Sequence, residues 1–168
     1  MYGLLCMSNQ QSTDYNVQKK LDPMEIGCLL HGILFAYQKS VKEIMGTGAA
    51  IFVHPVLDII QTINEKTGIN MIKGNDIDEV FTNLSEIILT SGMVKGFRFE
   101  KLDPKKYILH VEGCVWAPHI HEELKPTDVV CPYGLIAMSI FQKTTKTKVR
   151  VADSEYTKDG TNTIIETL

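Results

Sequence analysis

Apolar residues recur at three- and four-residue steps through most of the first 92 positions, which predicts three successive helices. Asp22-Pro23 marks the predicted start of the first helix, because Asp is a good N-cap and Pro suits the first helical position. Gly46-Thr47-Gly48 is expected to end it. The predicted core-facing stripe of this helix consists of Leu29, Leu30, Ile33, Leu34, Tyr37, Val41, Ile44 and Met45.

Two further helices are predicted before Gly92. The second runs from Ala49 to Lys66, with Pro55 near its start or at a kink, and Gly68 closes it. Asn75 and Asp76 offer caps for the third helix. Its apolar positions repeat with helical spacing: Ile77, Val80, Phe81, Leu84, Ile87 and Ile88.

The hydrophobic period then changes from 3.6 to two, which predicts strands. Phe97 and Phe99 alternate with polar residues, and the same pattern returns after the turn pair Asp103-Pro104, so a β-hairpin is expected. After a loop rich in Pro and His, an apolar run from Cys131 to Gln142 predicts a fourth helix. A third strand around Val149 and Val151 and a fourth from Thr163 to Leu168 complete the chain. This order predicts an α+β fold in which helices pack on an antiparallel four-stranded sheet.

Composition and charge narrow the class of protein. The chain has 168 residues, 44% apolar and 22% charged, which suits one globular domain. Residues 1–21 are expected to form a flexible arm and residues 22–168 a single domain. Seventeen basic and 20 acidic side chains give a net charge of −3, and the sequence contains no run of basic residues. Nucleic acid or an anionic membrane is therefore not expected as a binding partner. With no export signal and no long apolar stretch, we expect a cytoplasmic protein with free thiols.

One segment carries several potential metal ligands. Cys114, His119, His121 and Cys131 follow the spacing Cys-x4-His-x-His-x9-Cys, and Zn²⁺ prefers such sulfur and imidazole donors. Asp153 would supply an oxygen ligand or orient an imidazole, as would Glu155. The alternative is purely structural: the cysteines pack as small apolar residues and the two histidines lie on a surface loop.

Two other interpretations of this segment stay open. Cys131 directly precedes the predicted helix, whose N-terminus would lower the pKa of its thiol, and His119 or His121 would then be the nearest base. No signature of a cysteine hydrolase surrounds it. Trp116, the only tryptophan, would either stack on a ligand or anchor the core. His31, inside the first helix, is expected to be a packed core histidine.

The C-terminal part of the chain resembles a known family. Val130 with Cys131-Pro132-Tyr133-Gly134, the apolar helix after it, the segment 149–156 and Asp159-Gly160 resemble the 4-vinyl reductase domain family. The resemblance extends over residues 25–168, and its specific part is confined to 111–168. The chain is similar to stand-alone, archaeal-type members.

That resemblance implies a pocket for a small hydrophobic or aromatic ligand between helices and sheet, and a homodimer. The fold would be that of the superfamily that includes haem-NO-binding domains and vesicle-tethering subunits. Aromatic-sensing relatives hold zinc through a cysteine at a helix start, an acidic residue on the next strand and two later cysteines. Cys131 and Asp153 match the first two positions, and Cys114, His119 and His121 are candidate replacements for the missing thiols.

The function expected from these observations is binding of a small hydrophobic or aromatic ligand by a sensor or carrier domain. Trp116 is the expected ligand contact, and the possible zinc site is structural. The alternative is a metal- or thiol-dependent enzyme acting on a small molecule. No motif for a redox cofactor supports the reductase activity in the family name.

Overall fold

The computed structural model describes residues 22–45, 49–121, 124 and 129–168. The predicted arm over residues 1–21 and the predicted helix end at 46–48 lie outside the described residues. The elements in chain order are α1 (Pro23–Met45), a 3₁₀ turn (Ala49–Phe52), α2 (Val53–Thr67), α3 (Ile77–Thr90), β1 (Gly96–Asp103), β2 (Lys106–Glu112), α4 (Ala117–Ile120), α5 (Pro132–Thr145), β3 (Val149–Tyr156) and β4 (Thr161–Thr167).

The four strands form one sheet in the order β1-β2-β4-β3, and every neighbouring pair is antiparallel. Two hairpins therefore lie side by side, with β2 and β4 in the centre. Phe97, Leu109 and Ile165 are buried on the face that the helices cover. The predicted α+β fold, with helices packed on an antiparallel four-stranded sheet, is confirmed.

Local side-chain chemistry explains where the helices begin. The Glu25 N–H donates to Asp22 Oδ1 at 2.7 Å, and the Asp22 N–H donates to Glu25 Oε2 at 2.9 Å, which is a capping box. At α3, the Glu79 N–H donates to Asp76 Oδ1 at 2.9 Å. Both predicted helix starts are confirmed because the cap residues act on their immediate neighbours.

The core is organised around α5, which contacts α2, α3, β2 and β3. Met138, Ile140 and Phe141 of this helix are almost completely buried. Helix α2 begins later than predicted, since residues 49–52 form a 3₁₀ turn. Pro55 lies in the first turn of α2, where its missing N–H costs no hydrogen bond.

The face of helix α1 that is buried differs from the one that the sequence predicted. Most of the stripe predicted to face the core is exposed, including Leu30 at 61% and Ile44 at 84%. Its buried residues are instead His31, Phe35 and Gln38. The helix lies at the edge of the domain and covers little more than α4 and the residues around 130, so it buries one narrow face.

Among its described residues, the loop predicted between β2 and α5 includes the short helix α4, which the sequence pattern did not indicate. Among the described helices, none by itself is long and apolar enough to cross a membrane. Helix α1 and the segment Ala49–Thr67 meet those criteria only as a pair, and the pair is bent by 119° at the break.

Candidate functional site

Five side-chain rings, three buried and two half-buried, form a continuous group where α1, the region of α4 and the end of β3 meet. We call this group the ring cluster; its members are Phe35, Trp116, Tyr156, His31 and His121. His31 lies 4.6 Å from Phe35 and 4.9 Å from Trp116, measured between ring centroids. Phe35 lies 5.7 Å from Tyr156, which in turn lies 4.9 Å from His121. Most contacts are edge-to-face, as aromatic rings prefer.

The ring cluster depends on a close approach between α1 and Trp116. A Cβ atom at Gly27 would lie 2.8 Å from Trp116 Nε1, too close for any real side chain. Glycine at this position of α1 therefore allows the indole to reach His31, one helical turn further along. Trp116, predicted as the ligand contact, is half-buried and belongs to the cluster.

Hydrogen bonds hold α1 and β3 to the residues that precede α5. Gln38 Nε2 donates to the Val130 carbonyl at 2.9 Å, and the Val130 N–H donates to Gln38 Oε1 at 3.1 Å. The Tyr156 hydroxyl donates to the Val129 carbonyl at 3.0 Å. The Gln38 amide thus satisfies both backbone groups of a buried residue 92 positions away, which positions the cluster's α1 side.

Both imidazoles of the ring cluster are buried and neutral. His121 Nδ1 lies 3.1 Å from the Thr157 carbonyl oxygen, which only accepts, so Nδ1 carries the proton and Nε2 the lone pair. Burial lowers the pKa of His121, although the backbone of Thr157 and Gly160 and the charge of Asp159 act in the opposite direction. Burial, together with the neighbouring His121, lowers the pKa of His31 from 6.5 to about 4. Nε2 of each ring is buried and has no hydrogen-bond partner among the described residues.

A cavity of about 250 Å³ adjoins the cluster and shares Phe35 with it. Its lining is apolar except for the side chain of Lys39: Gly32, Phe35, Ala36, Lys39, Ile120, Leu124 and Val129. It lies between α1 and the residues that follow α4, and it is partly open. The cavity and the ring cluster therefore adjoin at Phe35, which lines the cavity on one side and contacts the rings of His31 and Tyr156 on the other.

The burial of Cys131 decides against the reactive thiol that the sequence left open as an alternative. Cys131 stands directly before α5, as predicted, but it is completely buried, and burial raises its pKa to about 11. The Thr161 hydroxyl and the N–H groups of Tyr133 and Gly134 act in the opposite direction and are outweighed. Burial likewise raises the pKa of Cys114. Desolvation therefore outweighs the helix N-terminus, and the alternative in which Cys131 has a lowered pKa is wrong.

The predicted metal ligands are only partly brought together. Cys114, His121 and Cys131 are all buried on the helix-covered side of the sheet, and the side chain of His119 lies outside the described residues. Asp153 pairs with Ile164, whereas the next residue pairs with buried Thr163. The Asp153 carboxylate therefore lies on the opposite sheet face, where it accepts the Ser154 N–H at 2.8 Å.

Glu155, the register alternative, lies on that same opposite face, since it pairs with Asn162. In the described part of the chain, no three His, Cys, Asp or Glu side chains converge closely enough to hold a metal ion. A site that includes Asp153 beside Cys131 does not fit this structure, because the sheet separates them. Zinc held by Cys114, His119, His121 and Cys131 stays a prediction: the three described donors do not form a metal-binding group in this structure, and the side chain of His119 lies outside the described residues.

Comparison of the sequence with family models and with curated proteins finds no match. The resemblance to the 4-vinyl reductase domain family therefore stays a prediction. Sequence reasoning missed three members of the site region: Phe35, Gln38 and Tyr156. One signal for the first two was present, since His31, Phe35 and Gln38 follow helical spacing on a face of α1 distinct from its most apolar stripe.

Proposed function

We propose that this protein binds a small aromatic or hydrophobic ligand in the cavity beside the ring cluster. The observation that carries the proposal is the pair of buried Nε2 atoms of His31 and His121, which lack partners among the described residues. Buried polar atoms in native proteins are nearly always paired, because an unpaired one costs about 1–3 kcal/mol. A ligand hydroxyl or N–H that reaches the Nε2 lone pair of His121 and donates to it would remove this cost for that ring.

The surroundings favour an aromatic ligand over a strongly polar one. The ring of Phe35 lines the cavity and contacts the rest of the ring cluster, and the cavity wall is apolar apart from Lys39. Its volume of about 250 Å³ is below the roughly 300–1,000 Å³ of most ligand pockets, so the expected ligand is no larger than a single substituted ring. We therefore expect phenol-like compounds to bind more tightly than the unsubstituted hydrocarbons.

Gly32 offers a direct test, because it lines the cavity and lies within a helix. A Cβ atom there would meet only Ile120 Cδ1 at 4.0 Å, an ordinary van der Waals contact. Gly32→Leu should therefore fold and fill the cavity, whereas Gly32→Ala is the matched control that leaves most of the space open. Binding is followed by the fluorescence of Trp116, the only tryptophan, during titration with phenol and with toluene.

We expect saturable binding of phenol, a loss of at least about tenfold in affinity in Gly32→Leu, and little change in Gly32→Ala. The phenol-to-toluene preference should be roughly 3- to 10-fold, the value of one net hydrogen bond, and should shrink in His121→Phe. Equal affinities of the Leu and Ala variants would place the ligand elsewhere. The absence of saturable binding by these compounds, together with no retained ligand in native mass spectrometry, would refute the proposal.

A structural zinc ion is a separate prediction, since it rests on the Cys-x4-His-x-His-x9-Cys pattern. Zinc on His121 would occupy the Nε2 lone pair, so zinc and a ligand hydroxyl would compete for that atom. Metal analysis of protein purified without chelator tests the zinc prediction, with about one zinc per chain expected. A stoichiometry near zero would refute zinc binding and leave ligand binding unaffected. The alternative of a thiol-dependent enzyme is opposed by the burial and raised pKa of Cys131.

A further inference from the structure

The outer edge of β1 carries backbone groups that the sheet leaves unpaired. The Thr167 N–H donates to the carbonyl of Lys105, the residue before β2, at 2.9 Å. Backbone groups alternate sides along a strand, so odd-numbered residues of β2 bond to β4 and even-numbered ones to β1. The register of β1 on β2 joins even-numbered to even-numbered residues. The N–H and carbonyl groups of Phe97, Phe99 and Lys101 therefore point away from the sheet.

Helix α3 runs beside this edge and bonds to it at one point. Ser85 Oγ of α3 donates to the Phe97 carbonyl at 2.6 Å, which agrees with the outward direction of that carbonyl. Among the described residues, no donor or acceptor pairs with the N–H or carbonyl of Phe99. Unpaired edge groups of this kind are a template for pairing with an added strand. The middle of β1 is therefore open to another segment.

A partly open cavity of about 290 Å³ lies between α3 and the edge of β1, and we call it the edge groove. From α3 it is lined by Asp78, Thr82 and Glu86 among others, and from β1 by residues 97–99. The rings of Phe81 and Phe99 stack 3.7 Å apart, measured between centroids, and join the helix to the strand there. An extended peptide that adds to a sheet edge gains main-chain hydrogen bonds, while neighbouring pockets select its side chains. The edge groove offers both kinds of contact.

The helix side of the edge groove is acidic. Asp78 and Glu86 are exposed, and neither has an ion-pair partner in the described part of the chain. Arg98, the basic residue of the lining, is already engaged, since its guanidinium lies 2.8 Å from Glu100 Oε1 and 3.7 Å from Glu112 Oε1. The groove therefore presents two carboxylates that complement cationic side chains.

The spacing of the two carboxylates indicates which basic segments fit. They stand eight residues apart on α3, which is about 12 Å at the rise of a helix. Four residues of a strand span about 13 Å, and side chains four positions apart point to the same face. Two basic residues at positions i and i+4 would thus lie opposite Phe97 and Lys101, with the middle residue opposite Phe99. Lys101 itself leans the other way, with Nζ 5.8 Å from the centre of the Tyr107 ring on β2.

We propose that the edge groove binds an extended segment of a partner protein as a fifth strand, antiparallel to β1, with two Lys or Arg side chains on Asp78 and Glu86. The inference goes beyond ligand binding, because β1 and β3 are the two outer strands of the sheet and the ring cluster lies at the end of β3. Filling the ligand cavity by Gly32→Leu should leave this interaction unchanged, so either proposal can fail alone.

Fluorescence anisotropy of the peptide fluorescein-Gly-Arg-Thr-Val-Thr-Arg-amide, titrated with the full chain, tests the charge contacts. We expect saturable binding, and the peptide with Glu in place of both Arg residues should bind at least about tenfold more weakly. Asp78→Asn and Glu86→Gln should each weaken binding about two- to fivefold, the value of one exposed ion pair. Asp58→Asn is the matched control, because Asp58 is an exposed carboxylate on α2, outside the groove, and its loss should change nothing.

Methylation of single peptide nitrogens tests the strand pairing. A methyl group on the Val nitrogen removes the N–H that would donate to the Phe99 carbonyl and should weaken binding at least about tenfold. A methyl group on the Thr nitrogen that follows is the matched control, because that N–H would point away from β1, and binding should change little.

Each contrary result overturns the proposal at a different step. The absence of saturable binding refutes the edge groove as a peptide site. Equal effects of the two methyl groups refute pairing with β1. Equal binding of the Arg and Glu peptides, or of the wild type and both groove variants, refutes the role of Asp78 and Glu86.

Discussion

The buried imidazole of His31 makes the stability of this protein sensitive to mild acid. The side chain is only 5% exposed and lies against Phe35 and Trp116. Its pKa of about 4 in the folded protein is well below the 6.5 of an unfolded histidine, chiefly because burial disfavours the charged ring. Between these two values the unfolded chain binds a proton that the folded chain does not.

The size of the effect follows from this difference in proton binding. Because the folded pKa is the lower one, the contribution of His31 to stability is nearly complete above pH 7 and is lost progressively as the pH falls toward 4. At pH 5, proton binding by the unfolded state alone lowers the free energy of unfolding by about 2 kcal/mol. Lowering of the His121 pKa acts in the same direction and adds to the loss.

Urea unfolding at pH 7 and pH 5 measures this loss, in the wild type and in His31→Phe. The variant keeps a ring of similar shape and removes the titration, so its stability should fall between the two pH values by about 2 kcal/mol less than that of the wild type. Ile60→Val is the control: it removes one buried methyl group and should lower stability equally at both pH values. If His31→Phe and the wild type lose the same stability between pH 7 and pH 5, the reasoning is refuted.

Three further predictions use the same unfolding assay or thiol chemistry. Gln38→Leu leaves the N–H and carbonyl of Val130 buried without the amide that now pairs them, and it should lower the free energy of unfolding in urea by about 2–4 kcal/mol. A loss below about 1 kcal/mol would show that water replaces the amide. Gly160→Ala places a Cβ atom against the Val111 carbonyl and should lower the free energy of unfolding by about 2 kcal/mol or more. A smaller loss would show that the turn shifts to make room for the methyl group. The Cys131 thiol should resist iodoacetamide at pH 7 until the chain is unfolded in urea, and rapid alkylation of native protein, mapped by peptide mass, would contradict its burial.

Most of the elements were predictable because local rules determine them. The starts of α1 and α3 follow from Asp22 and Asp76, whose side chains bond backbone groups three residues away. The first hairpin follows from alternation of apolar residues on both sides of a turn. These interactions act over a few residues, so the sequence pattern contains them directly.

The position of Asp153 shows where local reasoning stops. Simple alternation from Val149 and Val151 would place Asp153 on the helix-covered face of β3. The register shifts between Val151 and Asp153, so that Ser154 takes the buried position opposite Thr163. One extra residue in a strand moves every later side chain to the other face, and nothing in the sequence of β3 marks it.

The sequence by itself determined the α+β class, the order of the major elements and the positions of Cys114, Trp116, His121 and Cys131 in one stretch of chain. Only the tertiary structure decided that α1 turns His31 and Gln38 inward and its most apolar stripe outward. Burial depends on which partners a helix meets, and for α1 these lie some 90 positions away in the chain, at Trp116 and Val130. An amphipathic pattern shows that a helix has an apolar face, whereas the neighbours that it finds in the fold determine which face is covered.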